Sequence, residues 1–245
     1  MFGTKFLGRA LVLGGFIAAS SVLSTSDADA APSLKLTTGG GASVTVVDEG
    51  AGDAQPGILG VVQYDGAIGD FNVQVTIGTS KPAIGTATNP ILKISNTSIN
   101  ILNNNADTLT IEFSETGFIG SGQTTANSDI GGSSAVTGGG TLTVMDSFTA
   151  FIDPTNTIFG QPGAGQVASI GPLSGPGFSG LDSGTVDLGA GPVTYSITQK
   201  FVVTAGTPGS NLSFDATTQI PVPATFGMLG IALFGLGVAL RRRRA

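Results

Sequence analysis

The chain has 245 residues, 10 Lys and Arg against 16 Asp and Glu, and no cysteine, histidine or tryptophan. Those absences exclude disulfides, thiol nucleophiles, thiolate zinc sites and the usual histidine base of hydrolases. The length suits one domain once targeting segments at the two ends are set aside.

Residues 1–30 read as a secretory signal. Lys5 and Arg9 make its charged start, Ala10 to Val22 its short apolar run, and Ala28-Asp29-Ala30 an A-x-A cleavage site. Cutting after Ala30 leaves Ala31 as the new N-terminus. A retained N-terminal anchor is the competing reading, and the short run followed by a good cleavage site weighs against it.

The body expected over 31–219 carries four cations, Lys35, Lys81, Lys93 and Lys200, against fourteen acids, a net −10. That charge disfavours nucleic acid and anionic lipid headgroups. Polysaccharide, cations or another protein remain open as partners. With Tyr64 and Tyr195 the only tyrosines, aromatic platforms for sugars are sparse.

Taken in order, the body reads as strand and turn. Leu34–Thr38 and Ser43–Asp48 flank Gly39-Gly40-Gly41 as hairpin arms do. Phe71, Val73, Val75 and Ile77 alternate with polar residues, the period of a half-buried strand. Pro90 precedes a strand at Ile91–Ser95, and Asn103-Asn104-Asn105 breaks the chain before Leu109, Ile111 and Phe113 alternate again. Leu142 and Val144 lead a further strand towards Phe151. From Asp153 to Gly184 glycine, proline and serine dominate, and scattered apolar residues predict a long loop or irregular edge strands packed on the sheet. Val193, Tyr195, Ile197, Phe201 and Val203 share one parity of the clearest strand, and Leu212 and Phe214 close the body.

No helix of useful length is expected between 31 and 219. The 39 glycines and the abundance of Thr, Ser and Val point to an all-β fold, an antiparallel β-sandwich of the Ig-like or jelly-roll-like kind with eight to eleven strands. About 190 residues can bury a core without metal or disulfide.

The tail, 220–245, has three parts. Pro221 and Pro223 impose an extended, exposed strip over Ile220–Pro223. Ala224 to Leu240 are uncharged and mostly apolar, a single transmembrane helix of roughly 25 Å against a ~30 Å hydrocarbon layer. Arg241, Arg242, Arg243 and Arg244 resist translocation and stay on the cytoplasmic side. Gly227, Gly230, Gly235 and Gly237 weaken the helix by about 1 kcal/mol each, as befits a span meant to be discarded. A permanent anchor is the rival reading.

In this order, proline strip, apolar span and terminal arginines resemble the PEP-CTERM sorting signal of Gram-negative surface proteins. The processing motif falls on Pro221, Val222, Pro223 and Ala224. Val222 replaces the family's usual glutamate, so the tail is closer to a Val-Pro-Leu-Pro-Ala variant. Ser43–Asp48, Gly69–Val75, Leu109–Phe113, Asp153–Gly160 and Tyr195–Gln199 resemble stretches in PEP-CTERM proteins that join a β-rich body directly to the tail. The resemblance implies export, passage through the inner membrane, and processing by an exosortase with delivery to the cell surface or extracellular matrix. It brings no catalytic residues.

Chemistry is thin. Asp48, Glu49 and Asp53 in one glycine-rich turn, and Asp65 with Asp70 in another, could offer oxygen ligands to Ca²⁺, but their spacing matches no EF-hand, and solvated turn acids are the simpler reading. Glu112 and Glu115 could be offered as a glycosidase pair, yet Glu112 falls on the polar side of its strand. No serine lies in a G-x-S-x-G elbow, and Gly138-Gly139-Gly140 lacks the lysine of a phosphate loop. The expectation is therefore a non-enzyme with no cofactor or metal: an exported structural protein of the cell surface or biofilm matrix, associated with exopolysaccharide. The alternative is a carbohydrate- or Ca²⁺-binding adhesion module.

Overall fold

The computed structural model describes residues 31–103, 107–136 and 138–221. Within them the chain forms twelve strands: β1 (Ser33–Thr38), β2 (Ser43–Val47), β3 (Val61–Ile68), β4 (Phe71–Thr79), β5 (Ile91–Ile101), β6 (Thr108–Gly120), β7 (Gln123–Val136), β8 (Val144–Asp153), β9 (Gln166–Ile170), β10 (Phe178–Asp187), β11 (Val193–Thr204) and β12 (Ser210–Gln219). One 3-10 turn, Gly163–Gly165, is the sole helical element among the described residues.

The strands build two six-stranded antiparallel sheets, ordered β2-β1-β6-β11-β8-β9 and β10-β7-β12-β5-β4-β3. Their inner faces share one core, so the fold is the expected β-sandwich. Alternation puts Leu109, Ile111 and Phe113 of β6 inside with Ile197, Phe201 and Val203 of β11. Phe201 stacks on Phe148 of the neighbouring strand β8 at 4.9 Å and, across the gap, tilts against Phe214 of the opposite sheet at 4.9 Å. Gln199, of the same parity, is fully buried, and its amide spans the sheets to the Leu92 carbonyl (3.3 Å) and Thr218 Oγ1 (3.0 Å).

Several details differ from expectation. The strand starting at Ile91 runs on to Ile101, and the one expected from Leu142 begins at Val144. Two strands were not foreseen. β3 occupies 61–68, so Asp65 lies in a strand and not in a turn; as an edge strand, β3 tolerates Asp65 and Gly66. In β7, Thr124, Ala126, Ser128 and Ile130 face inward, a burial period of two with little hydropathy contrast.

The stretch after Asp153 does both things expected of it. Residues 154–165 lie on the outer face of the first sheet, where Phe159 N–H donates to Ser114 Oγ (3.0 Å) and Ser196 Oγ donates to the Thr157 carbonyl (2.7 Å). β9 and β10 are then edge strands, one in each sheet. Among the described residues no helix is long and apolar enough to cross a membrane. The span expected over 224–240 lies outside them.

Candidate functional site

Both ends of the body reach the same end of the sandwich. At the N-terminal side the Asp48 amide donates to the Pro32 carbonyl (3.0 Å), extending the β1–β2 ladder by one step. At the C-terminal side the Ile220 amide donates to the Pro90 carbonyl (3.1 Å), just past the Gln219–Ile91 pair of β12 and β5. The β4–β5 connection, residues 80–90, joins these points. Asp48 Oδ2 accepts the Gly60 amide (2.7 Å), the Ser80 amide donates to the Gly60 carbonyl (2.9 Å), and Ser80 Oγ donates to the Ile91 carbonyl (3.2 Å). Gly60 is required here: its φ is +81°, and a Cβ would stand 2.7 Å from the Lys81 carbonyl oxygen.

A buried ion pair pins the same connection to the first sheet. Lys81 Nζ lies 2.6 Å from Glu115 Oε1, donates to the Thr116 carbonyl at 3.0 Å, and sits 5.0 Å above the Phe118 ring. Glu115 shares the inward parity of Phe113 and is fully buried. Burial pushes its carboxyl up to about 7, with Lys81 opposing the rise.

A cavity of about 500 Å³ has a mostly apolar lining that includes Ile119, Pro192 and Tyr195, with Ser121, Gln123, Thr124 and Thr125 adding polar groups. Ile220 and Pro221 form part of its wall. Ile220 is buried, whereas Pro221 is exposed. The exposed strip expected over Ile220–Pro223 therefore does not include Ile220, which its bond to Pro90 and its packing on the core keep buried. Residues 219–244 match the family model described as the PEP-CTERM protein-sorting motif.

The tail is a PEP-CTERM sorting motif.

The PEP-CTERM tail implies processing by an exosortase at a membrane and export towards the cell surface. Of its expected working residues, Pro221 lies at the cavity mouth. Val222, Pro223, Ala224, Arg241, Arg242, Arg243 and Arg244 lie outside the described residues, as do Ala28 and Ala30 of the signal cleavage site. Ala31 is described and lines a second, smaller cavity with Asp48.

No curated protein matches the chain. A solved structure, that of infectious bursal disease virus Gx strain, is similar with 15% identity and a TM-score of 0.35. The similarity covers 86% of this chain and 54% of that one, so the chain spans about half the length of the viral protein. At that score the likeness carries no argument about function.

The acidic residues have structural employment. Asp53 accepts the amides of Glu49 (3.1 Å), Gln55 (3.0 Å) and Gln63 (3.0 Å), and Glu49 accepts that of Gly57 (2.7 Å). These carboxylates staple the β2–β3 connection. Asp65 accepts from the Gln74 side chain (3.3 Å) and Asp70 from that of Asn103 (2.8 Å). No trio of acidic side chains among the described residues is grouped to hold a metal ion.

Glu112 and Glu115 lie on opposite faces of β6. Glu112 is on the outer face as expected, but it is buried there under the 154–165 loop, paired with Lys35 at 3.1 Å and hydrogen-bonded by Gln161. Two carboxyls separated by a sheet cannot flank one glycosidic bond. The Lys81–Glu115 pair was not foreseen, since its partners are 34 residues apart and no local pattern joins them.

Proposed function

We propose that this protein is an exported, non-catalytic building block of the cell surface or extracellular matrix, delivered there by exosortase processing of its PEP-CTERM tail. The observation that carries the reading is the family-model match at 219–244 placed directly after a strand that closes a self-contained sandwich. The geometry supports it. A processing enzyme needs bare, extended backbone, and Pro221 is exposed next to Ile220, whose amide bonds the Pro90 carbonyl. Both ends of the body leave from one side, so a signal at one terminus and a sorting tail at the other can reach one membrane together.

Fractionation after deletion of residues 220–245 tests this. Loss of surface delivery, with the body accumulating in the periplasm or medium, is the expected result; unchanged delivery removes the sorting role. The mass of the mature protein from its host fixes both cut sites.

The second reading, a carbohydrate-binding adhesion module, is favoured by the cavity of about 500 Å³, a mostly apolar cleft with a few hydroxyl and amide groups. Calorimetry with the host exopolysaccharide, with and without Ca²⁺, separates the two readings. A flat titration supports the structural role.

A further inference from the structure

The small cavity at the N-terminal end of the body, about 120 Å³, is lined by Ala31, Pro32, Asp48, Glu49, Lys81 and neighbouring residues. Asp48 is only 6% exposed, and its Oδ1 is buried with no hydrogen-bond partner among the described residues, although Oδ2 accepts from Gly60. Burial raises its pKa, the charges of Glu49 and Asp53 add to the rise, and the backbone amides of Gly60 and Val61 oppose it. A buried carboxylate oxygen without a partner is costly and calls for a cation or donor. Lys81 lines the same cavity, but its ammonium pairs with Glu115 and the Thr116 carbonyl and makes no ion pair with Asp48.

We propose that the missing partner is made by processing: cleavage after Ala30 turns Ala31 into a free α-ammonium that enters this cavity and pairs with Asp48. The register brings the two together, for Asp48 already bonds Pro32, the residue next to Ala31. Hydrolysis of the Ala30–Ala31 peptide bond by a signal peptidase consumes one water. It leaves a carboxylate on Ala30 and an amine on Ala31, which takes up a proton at neutral pH. Before cleavage the same nitrogen is a neutral amide with one N–H. After it, the nitrogen carries a charge and three donors. The pairing locks the β1–β2 end, and through Gly60 and Ser80 the lock reaches the connection that also holds Ile220. The sandwich is therefore tightest only once its signal has gone. The inference rests on the secretory reading of residues 1–30.

The test uses the full chain secreted by its host. Wild type is compared with D48N and with a variant carrying Gly-Ser inserted between Ala30 and Ala31, alone and together. Mass spectrometry assigns each N-terminus, which judges the secretory reading separately. Melting temperature and the rate of α-amine labelling by an acylating reagent at neutral pH judge the lock. Expected for wild type starting at Ala31 is α-amine labelling at least about tenfold slower than in the insertion variant. The insertion and D48N each lower the melting temperature by about 4–8 °C, and the double variant falls no further. The insertion variant, which leaves Asp48 in place, keeps the test open if D48N folds poorly. Fast labelling, additive effects, or an insertion without effect overturns the proposal. So does a Ca²⁺-dependent rise in melting temperature that is equal in both N-terminal forms, or a mature chain that starts elsewhere than Ala31.

Discussion

Glu115 shows how one residue can set the pH response of a protein that lacks histidine. Its carboxyl titrates near 7 in the folded body, against about 4.5 when unfolded, because burial outweighs the help of Lys81. The native state thus holds the proton more tightly than the unfolded chain. The stabilisation is complete below about pH 4.5 and is lost as pH rises through 7, an effect on the order of 3 kcal/mol. Denaturant midpoints from pH 4 to 8 should carry this falling component in wild type and lose it in Glu115→Gln. Lys81→Met leaves the carboxylate buried without its ammonium. It should cost about 3–5 kcal/mol at pH 8 and markedly less at pH 5, where Glu115 is protonated. Equal losses at the two pH values would mean that Lys81 acts only by packing on Phe118.

Among the elements, the 154–165 segment is the one whose order depends most on side chains. Asp153 accepts the amides of Thr155 (2.9 Å) and Thr157 (3.3 Å), and Asn156 Oδ1 accepts that of Gly117 (2.8 Å). Asn156 and Phe159 both adopt φ of +57°, a conformation that non-glycine residues keep only when neighbours hold them there. Asp153→Ala should release the segment, costing about 1–3 kcal/mol. Amide exchange at 155–160 should accelerate before the melting temperature of the whole body changes greatly. This element was readable in part: the Gly-Pro-Ser composition announces a loop, and Phe159 announces that it packs, whereas Ile158 stays exposed. β7 was not readable. Thr124, Ala126 and Ser128 are inward residues too small or too polar to stand out from their outward neighbours, and Ser128 is satisfied inside by Thr218 Oγ1 at 3.0 Å. Its partner strand, not its hydropathy, makes it a strand.

For the molecule as a whole, the sandwich is held across its middle by Phe201, the ring that touches both Phe148 and Phe214. Phe201→Ala should cost about 3–5 kcal/mol, read as a lower denaturant midpoint at an unchanged slope. A changed slope would mean that the two sheets unfold separately. The sequence alone determined the all-β class and the arrangement of a tail with proline, apolar and arginine parts, because period-two alternation and end-of-chain composition are local properties. It also supplied the order of the motif that the family model matches. Only the tertiary structure decided that Ala31 and Pro221 lie at the same end, that Glu112 and Glu115 are parted by a sheet, and that Lys81 and Asp48 line one cavity. Those relations arise from strand order, which joins residues far apart in the chain, and strand order is set by the packing of two whole sheets against each other.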